Sequence, residues 1–124
     1  MDITPVIHKD QNYIDRYGDG GFQITGQQHK GSIVVSSSEV FEWCTTEKLV
    51  EDIEALLELF AQTPNIQVLL VGCGDSPPFI PERIRQGFRK KGMTIDLMST
   101  GAACRTYNVL LAEDRLVAAA LVAI

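Results

Sequence analysis

The chain has 124 residues, enough for one domain with its own hydrophobic core. Hydrophobic residues make up 45% of the chain and charged residues 22%, proportions that exclude wholesale disorder. The 16 acidic and 11 basic residues give a net charge of −5, which argues against a nucleic-acid-binding protein because that role needs a basic surface. We therefore expect a single soluble domain over residues 1–124, with about 1–11 as a flexible or edge arm.

Short strands and glycine turns fill the first third of the chain. Residues 12–17 alternate loosely in polarity, and Gly18–Gly21 is a strong turn signal. The segment 22–25 reads as a strand, and Gly26–Gly31 reads as a second turn. Residues 32–43 begin with a β-branched run and continue with aromatic side chains, which is typical of further strand. We predict a small antiparallel meander in this part of the chain.

Helices and strands alternate after residue 45. The expected order is a helix that starts near Thr45 and Thr46 and ends before Pro64, a strand over 67–71, a helix from Pro81 to Gly92, a strand over 94–98, a helix of about 102–111 and a last strand over 116–124. The apolar run Val68–Val71, followed at once by glycine, indicates a central parallel strand that is buried on both faces. Right-handed crossovers would place helices on both faces of one sheet, so the pattern predicts an α/β fold.

Several classes of protein do not fit the sequence. The N-terminus has no basic stretch followed by an apolar run, so it does not read as a secretory signal. The longest apolar run, 116–124, is less than half as long as a membrane helix, which needs about twenty residues. The three cysteines are far apart and no histidine lies near them in the sequence, so we expect no disulfide framework, metal site or cofactor. We predict reduced thiols and a cytoplasmic location.

A continuous block near the C-terminus carries a family resemblance. Residues Met98–Glu113 resemble the signature of the Mth938-like family, also called domain of unknown function 498. Further landmarks match the family in order along the chain: Tyr17-Gly18, Gly21-Phe22, Ile24-Thr25-Gly26, Gly31-Ser32, Trp43, Gly72-Cys73-Gly74 and the alanine-rich last strand. The resemblance covers nearly the whole chain.

The resemblance implies a complete fold but only part of a function. The implied fold is a three-layer α/β domain with a central mixed sheet, flanking helices and a small additional β-layer. Relatives in mitochondria assist the assembly of respiratory complex I as partners of another assembly factor. The resemblance therefore implies a non-enzymatic interaction protein with a protein partner at a membrane complex, located in the cytoplasm or peripheral to the inner membrane. No set of catalytic residues comes with the family.

Two predicted turns provide an alternative function, the binding of a small anion. Gly72–Gly74 and Ser99–Gly101 each follow the carboxyl end of a predicted strand, and parallel neighbours would bring them together at one edge of the sheet. Arg105, in the first turn of the next helix, is suited to binding a carboxylate or phosphate through two hydrogen bonds. In the competing structural interpretation, glycine only permits close packing and Arg105 pairs with a carboxylate. The candidate ligand-binding residues are Gly72, Cys73, Gly74, Thr100, Gly101, Cys104 and Arg105.

Two of these residues carry thiols. Cys104 falls in the first turn of a predicted helix, where a thiol pKa can be lowered, and Cys73 lies in the other turn. A thiol-based enzyme would need a base, and no histidine lies in either motif. Because small buried cysteines are common as core residues, the sequence favours Cys104 as a core residue over Cys104 as a nucleophile.

A third candidate site is a surface for a partner. Five basic residues occur within nine positions on one predicted helix: Arg83, Arg85, Arg89, Lys90 and Lys91. The preceding loop carries Phe79 between prolines that stiffen it. The basic cluster is either a docking surface for an acidic partner or a membrane, or a solvated helix face. Phe79 is either a partner-facing tip or part of a lid over the strand ends.

Overall fold

The computed structural model describes residues 11–61 and 65–124. Their elements follow in this order: β1 Ile14–Gly18, β2 Gly21–Ile24, β3 Gln27–Lys30, β4 Ile33–Ser36, β5 Val40–Glu42, α1 Leu49–Ala61, β6 Val68–Gly72, α2 Glu82–Lys90, β7 Thr94–Met98, α3 Thr100–Ala112 and β8 Val117–Leu121. Within these described residues, no helix combines the length and the apolar character that crossing a membrane requires. The predicted N-terminal arm lies outside the described residues, except for Gln11.

The main sheet has five strands in the order β5-β4-β8-β6-β7. β6 runs parallel to β7 and β8, whereas β4 runs antiparallel to β8 and β5, so the sheet is mixed. Leu69, Leu70 and Val71 in β6 are all buried, and their strand lies between two neighbours. The prediction of a central parallel strand buried on both faces is confirmed.

The first three strands form a separate antiparallel sheet in the order β1-β2-β3. The single meander predicted over residues 12–43 is wrong in its extent, because β4 leaves the small sheet and pairs with β8. The turn predicted over Gly26–Gly31 is also wrong, because β3 occupies its middle and pairs with β2. Three of the four residues of β3 are exposed and polar, so this strand has no apolar alternation that the sequence could reveal.

Alternate side chains of the main sheet face two separate cores. One core lies between the sheet and helices α1 and α2, and the sheet contributes Val34, Leu69, Val71, Ile95, Ala118 and Ala120 to it. The other lies between the sheet and a layer formed by α3 and the small sheet, and the main sheet contributes Ile33, Val35, Leu70, Val117, Ala119 and Leu121 to it. The predicted α/β fold with three layers and a small additional β-layer is therefore confirmed.

Small side chains occupy the centre of the main sheet. Ala118, Ala119 and Ala120 in β8 are fully buried, and they alternate between the two cores. Ala119 is the alanine that β8 contributes to the core with α3, where Ala103 and Cys104 of the helix are fully buried. Ala119 in β8 and Gly72 at the end of β6 thus allow α3 to approach the middle layer.

All three helices begin at residues other than those predicted, and α2 does so by a single residue, at Glu82 with Pro81 as its N-cap. α1 begins at Leu49 instead of just after Thr46. The Asp52 carboxylate accepts hydrogen bonds from the Thr46 N–H (2.6 Å) and hydroxyl (3.0 Å), which hold Thr46 in a turn ahead of the helix. α3 begins at Thr100, two residues early, because the Ser99 hydroxyl oxygen caps it by accepting a hydrogen bond from the Ala102 N–H (3.3 Å).

The substitution Gly72→Ala tests the close approach of α3 to β6. A Cβ at Gly72 would lie 2.9 Å from Thr100 Cα and 3.2 Å from Ala103 Cβ. Since neither atom belongs to a flexible side-chain end, we expect the free energy of unfolding in urea to fall by about 1–3 kcal/mol.

Gly87→Ala in α2 is the matched control for this variant. Its Cβ would contact only the end of the Leu57 side chain, and alanine favours a helix, so we expect stability to stay constant or rise by up to about 1 kcal/mol. Equal stabilities for the two variants would contradict a rigid contact between α3 and β6.

Candidate functional site

Thr100 joins the two predicted turns at the carboxyl ends of β6 and β7. Its hydroxyl accepts a hydrogen bond from the Gly74 N–H (2.9 Å) and donates one to the Val122 carbonyl (2.8 Å). Its backbone N–H donates to the Gly74 carbonyl (2.9 Å). The side chain is fully buried, so these bonds satisfy it away from water. The structure thus brings the two turns together, and it uses the polar groups of Thr100 to hold them.

The backbone of the Gly72–Gly74 turn is also engaged by neighbouring strand ends. The Gly72 carbonyl accepts a hydrogen bond from the Val122 N–H (2.9 Å), and the Cys73 N–H donates one to the Met98 carbonyl (2.8 Å). Gly72 packs against the first turn of α3, as described above. This turn therefore has a structural role, in which Gly72 allows the close approach of α3 and Gly74 adopts a positive φ of 78° that favours glycine.

Arg105 lies on a different side of α3 from Thr100. Its guanidinium Nη1 donates a hydrogen bond to the Tyr17 hydroxyl (3.0 Å), and the residue as a whole is exposed. A Cβ at Gly101 would lie 2.6 Å from that hydroxyl, so glycine makes room for the tyrosine. Arg105 has no carboxylate partner among the described residues. The ion pair that the structural interpretation of the sequence expected for this arginine is therefore absent from the described part of the chain.

Tyr17 contributes to this region but was missed by the sequence analysis. It reads as a packing residue, and only 5% of it is exposed, yet its hydroxyl holds Arg105 across 88 positions of the chain. A cavity of about 340 Å³ opens beside it on the small sheet. The residues that line this cavity are Arg16, Tyr17, Gly18, Asp19, Gly21, Gln23 and Gln28. No sequence motif joins the two segments, so only the tertiary structure reveals the pair.

Burial makes both candidate thiols poor nucleophiles. It raises the pKa of Cys73 to about 11, against a smaller lowering by the hydrogen bond to the Met98 backbone. It raises the pKa of Cys104 to about 12, and the nearby positive charge of Arg105 offsets only part of that shift. Because the thiolate is the reactive form, neither residue is activated at neutral pH.

A metal site is likewise not apparent in residues 11–61 and 65–124. No group of three or more histidine, cysteine, aspartate or glutamate side chains lies close enough together there to hold a metal ion. Cys44 is exposed, whereas Cys73 and Cys104 are buried in separate cores.

Three of the five residues in the basic cluster form ion pairs or hydrogen bonds within the protein. Arg83 pairs with Glu54, Arg89 pairs with Glu82 (3.0 Å), and Arg85 donates to the carbonyl of Ile95 (3.1 Å). Lys90 and Lys91 are exposed and have no ion-pair partner in the described part of the chain.

Phe79 is 87% exposed, whereas the next residue, Ile80, is 4% exposed and packs in the core with α1 and α2. The loop is thus fastened by Ile80 and directs Phe79 into solvent. This placement favours the partner-facing tip over the lid.

Thiol labelling of the folded protein tests the burial of Cys73 and Cys104. At neutral pH we expect one fast-reacting thiol, the exposed Cys44, and two that react only on unfolding, because burial keeps them protonated and out of contact with the reagent. The substitution Cys44→Ser should remove the fast phase and leave the slow one. A second thiol that reacts as fast as Cys44 would contradict the assignment.

The same pKa shifts make the folded state less stable at alkaline pH. An unfolded thiol loses its proton near its ordinary pKa of 9.0, whereas the buried ones keep theirs up to about 11 and about 12. The free energy of unfolding should therefore fall as the pH rises from 9.0 towards 12. A urea-denaturation series over this range measures the effect.

Comparison with known proteins agrees with the fold. A family model described as "Protein of unknown function (DUF498/DUF598)" matches residues 14–122. A solution NMR structure from Bordetella pertussis, described as a Mth938-like domain, resembles this chain with a TM-score of 0.77 at 25% identity. The similarity covers 98% of this chain and 92% of that one.

Two relatives extend the comparison beyond the fold. The chain is 31% identical over 110 residues to NADH dehydrogenase (ubiquinone) 1 alpha subcomplex assembly factor 3 from Xenopus tropicalis, covering 89% of this chain and 60% of that protein. It therefore spans only about 60% of the length of this relative. It is 35% identical over 108 residues to an uncharacterised protein from Rhodobacter capsulatus, covering 87% of this chain and 82% of that protein. The chain belongs to the DUF498/DUF598 family, has the Mth938-like fold, and is related to complex I assembly factors.

Proposed function

We propose that this protein is a non-enzymatic assembly factor that binds a protein partner at a respiratory membrane complex. The relationship to proteins named as assembly factors of a ubiquinone-linked NADH dehydrogenase supports this function. The candidate thiols are buried and protonated, and the polar groups of Thr100 are already hydrogen-bonded within the protein. Both observations support a structural role for the turns that the sequence marked as a candidate binding site. The proposal places the protein in the cytoplasm, peripheral to the inner membrane where such a complex resides.

The observation that carries the proposal is the exposure of Phe79. A largely exposed aromatic side chain is unfavourable in water, and buried aromatic side chains are common energetic anchors of protein interfaces. Pro77, Pro78 and Pro81 limit the backbone conformations of its loop, and the buried Ile80 fastens it. A partner that takes up Phe79 would therefore pay little entropy to order the loop.

The charges beside Phe79 support a partner with an acidic rim. Helix α2 follows the loop directly and carries four cations, Arg83, Arg85, Arg89 and Lys90, against one acid, Glu82; Lys91 follows the helix as its C-cap. Charged rims accelerate association and select partners more than they add affinity. Phe79 would then provide the affinity, and the basic helix would provide the orientation.

Deletion of the gene in its native host tests the assembly role. We expect less assembled NADH dehydrogenase complex on native gels, restored by the wild-type chain and not by Phe79→Ala. Leu59→Ala is the matched control, because Leu59 is also an exposed apolar residue (40%) but lies on α1, away from the loop. The reason for the difference is that truncating an interface anchor weakens binding by about tenfold or more.

Two results would reject the assembly role or its surface. Unchanged amounts of the assembled complex in the deletion strain would reject the function itself. Full rescue by Phe79→Ala, expressed at the wild-type level, would reject the docking surface while leaving the function open to another surface. Circular dichroism of the purified variants checks that both fold.

A second candidate function, anion binding at Arg105, is favoured by one observation. The guanidinium donates a hydrogen bond to the Tyr17 hydroxyl, the residue is exposed, and it has no acidic partner in the described residues. Such a preoriented arginine suits a carboxylate or phosphate group. The other predicted site residues would contribute only the backbone near Gly101, because Thr100 is already engaged.

Titration with inorganic phosphate, followed by amide chemical shifts, tests this second function. We expect saturable shifts around Gly101 and Arg105 at millimolar phosphate, and their loss in Arg105→Ala with the fold intact. Lys30→Ala, which removes an exposed cation from β3, is the control and should leave the shifts unchanged. The absence of any shift in the wild-type protein would contradict the site.

A further inference from the structure

The outer surfaces of α1 and α2 separate charge into two parallel ridges, which we call the α1–α2 surface. Helix α1 carries four acids and no base: Glu51, Asp52, Glu54 and Glu58. Helix α2 carries four bases and one acid: Arg83, Arg85, Arg89 and Lys90, with Glu82. A chain with a net charge of −5 thus presents an acidic ridge beside a basic one on the same layer.

Two contacts fix the alignment of these helices. Arg83 pairs with Glu54, and one turn later Gly87 packs against the end of the Leu57 side chain. Both contacts advance in the same direction along the two helices, so α1 and α2 run parallel. Arg83 then lies at the level of Glu54 along the common direction.

The exposed charges on the two ridges have the same spacing. Glu51 and Glu58 are exposed and lie seven residues apart on α1, and Arg83 and Lys90 are exposed and lie seven residues apart on α2. Seven residues are about two helical turns, or about 10 Å, so each pair lies on one side of its helix. Neither Glu58 nor Lys90 has an ion-pair partner among the described residues.

We propose that the α1–α2 surface binds a second copy of this chain face to face, about a two-fold axis that runs along the helices between them. That operation places α1 of one copy over α2 of the other, parallel to it. Glu51 then opposes Arg83 of the second copy, and Glu58 opposes its Lys90. Because Arg83 is level with Glu54, each acid is displaced from its opposing base by about three residues, or about 4.5 Å, which long side chains can span.

The opposite charges of the two ridges indicate which partner the α1–α2 surface binds. A uniformly anionic surface, such as an acidic lipid bilayer, would attract α2 and be repelled by α1. A second copy rotated by the two-fold axis presents the opposite sign to each ridge, and both copies use the same residues, as an isologous interface requires. This self-association goes beyond the proposed function, and it uses the same α2 cations, so the dimer and a partner oriented by α2 would exclude each other.

The dimer must be weak and sensitive to salt. The 13 residues of α1 extend about 20 Å, and the surface is mostly polar, which puts the interface at the small end of specific protein contacts. We expect a dissociation constant on the order of 10–100 µM at low salt. Exposed charge pairs are screened within about 10 Å at 0.1 M salt, so added salt should weaken the dimer.

Sedimentation equilibrium of the full chain tests the proposal. The wild-type protein should be dimeric at about 500 µM in low salt and dissociate as salt is added. Glu58→Lys and Lys90→Glu should each raise the dissociation constant at least about tenfold, because like charges then face each other across the axis. An equimolar mixture of the two variants should associate again, since in the mixed dimer both pairs regain opposite charges.

Glu113→Lys and Lys30→Glu are the matched controls. They produce the same net charges as the two test variants, but both residues are exposed outside α1 and α2. Alone and mixed, the controls should behave like the wild-type protein. A wild-type chain that stays monomeric at the highest concentration overturns the proposal. So does a dimer that the test variants leave unchanged, or a mixture that associates no better than its components.

Discussion

The close approach of α3 to the main sheet is the constraint on which the rest of the structure depends. The helix reaches the sheet because β8 turns the small Ala119 towards it and β6 ends in Gly72, where a Cβ would meet the first turn of α3. Thr100 then fastens the contact by bonding to Gly74 on one strand end and Val122 on another. Without small residues at these positions, the middle and outer layers would stand further apart and the bonds of Thr100 would not form.

This constraint also explains why the most distinctive block of the sequence does not form an evident reaction centre. In this block, the hydroxyl and backbone groups of Thr100 form hydrogen bonds within the protein, and burial holds the Cys104 thiol in its neutral form. The residues to which we assign protein contacts lie elsewhere, on the loop that displays Phe79 and on the charged outer faces of α1 and α2, and within the block only Arg105 is proposed to bind a ligand.

Charge separation on the α1–α2 layer matters more for recognition than for stability. Exposed ion pairs such as that between Arg89 and Glu82 contribute little to folding, because water and salt screen them. Arranged in two ridges of opposite sign, the same charges define an orientation for whatever binds. An acidic net charge would by itself suggest repulsion between copies, whereas the local pattern supports their attraction.

The sequence by itself determined the α/β class, the order of elements after residue 45 and the buried central strand, because these depend on hydrophobic periodicity and on glycine and proline positions. It also predicted that the turns at Gly72 and Thr100 meet, since parallel strands end at the same edge. Only the tertiary structure decided the rest: β3 has no apolar pattern, and β4 joins the main sheet through a partner some 85 positions away. The hydrogen bond between Tyr17 and Arg105 likewise joins distant parts of the chain. The parallel alignment of α1 with α2 also depends on contacts between distant residues. Local patterns describe a residue's neighbours along the chain, whereas the engagement of a polar group depends on what packing brings beside it.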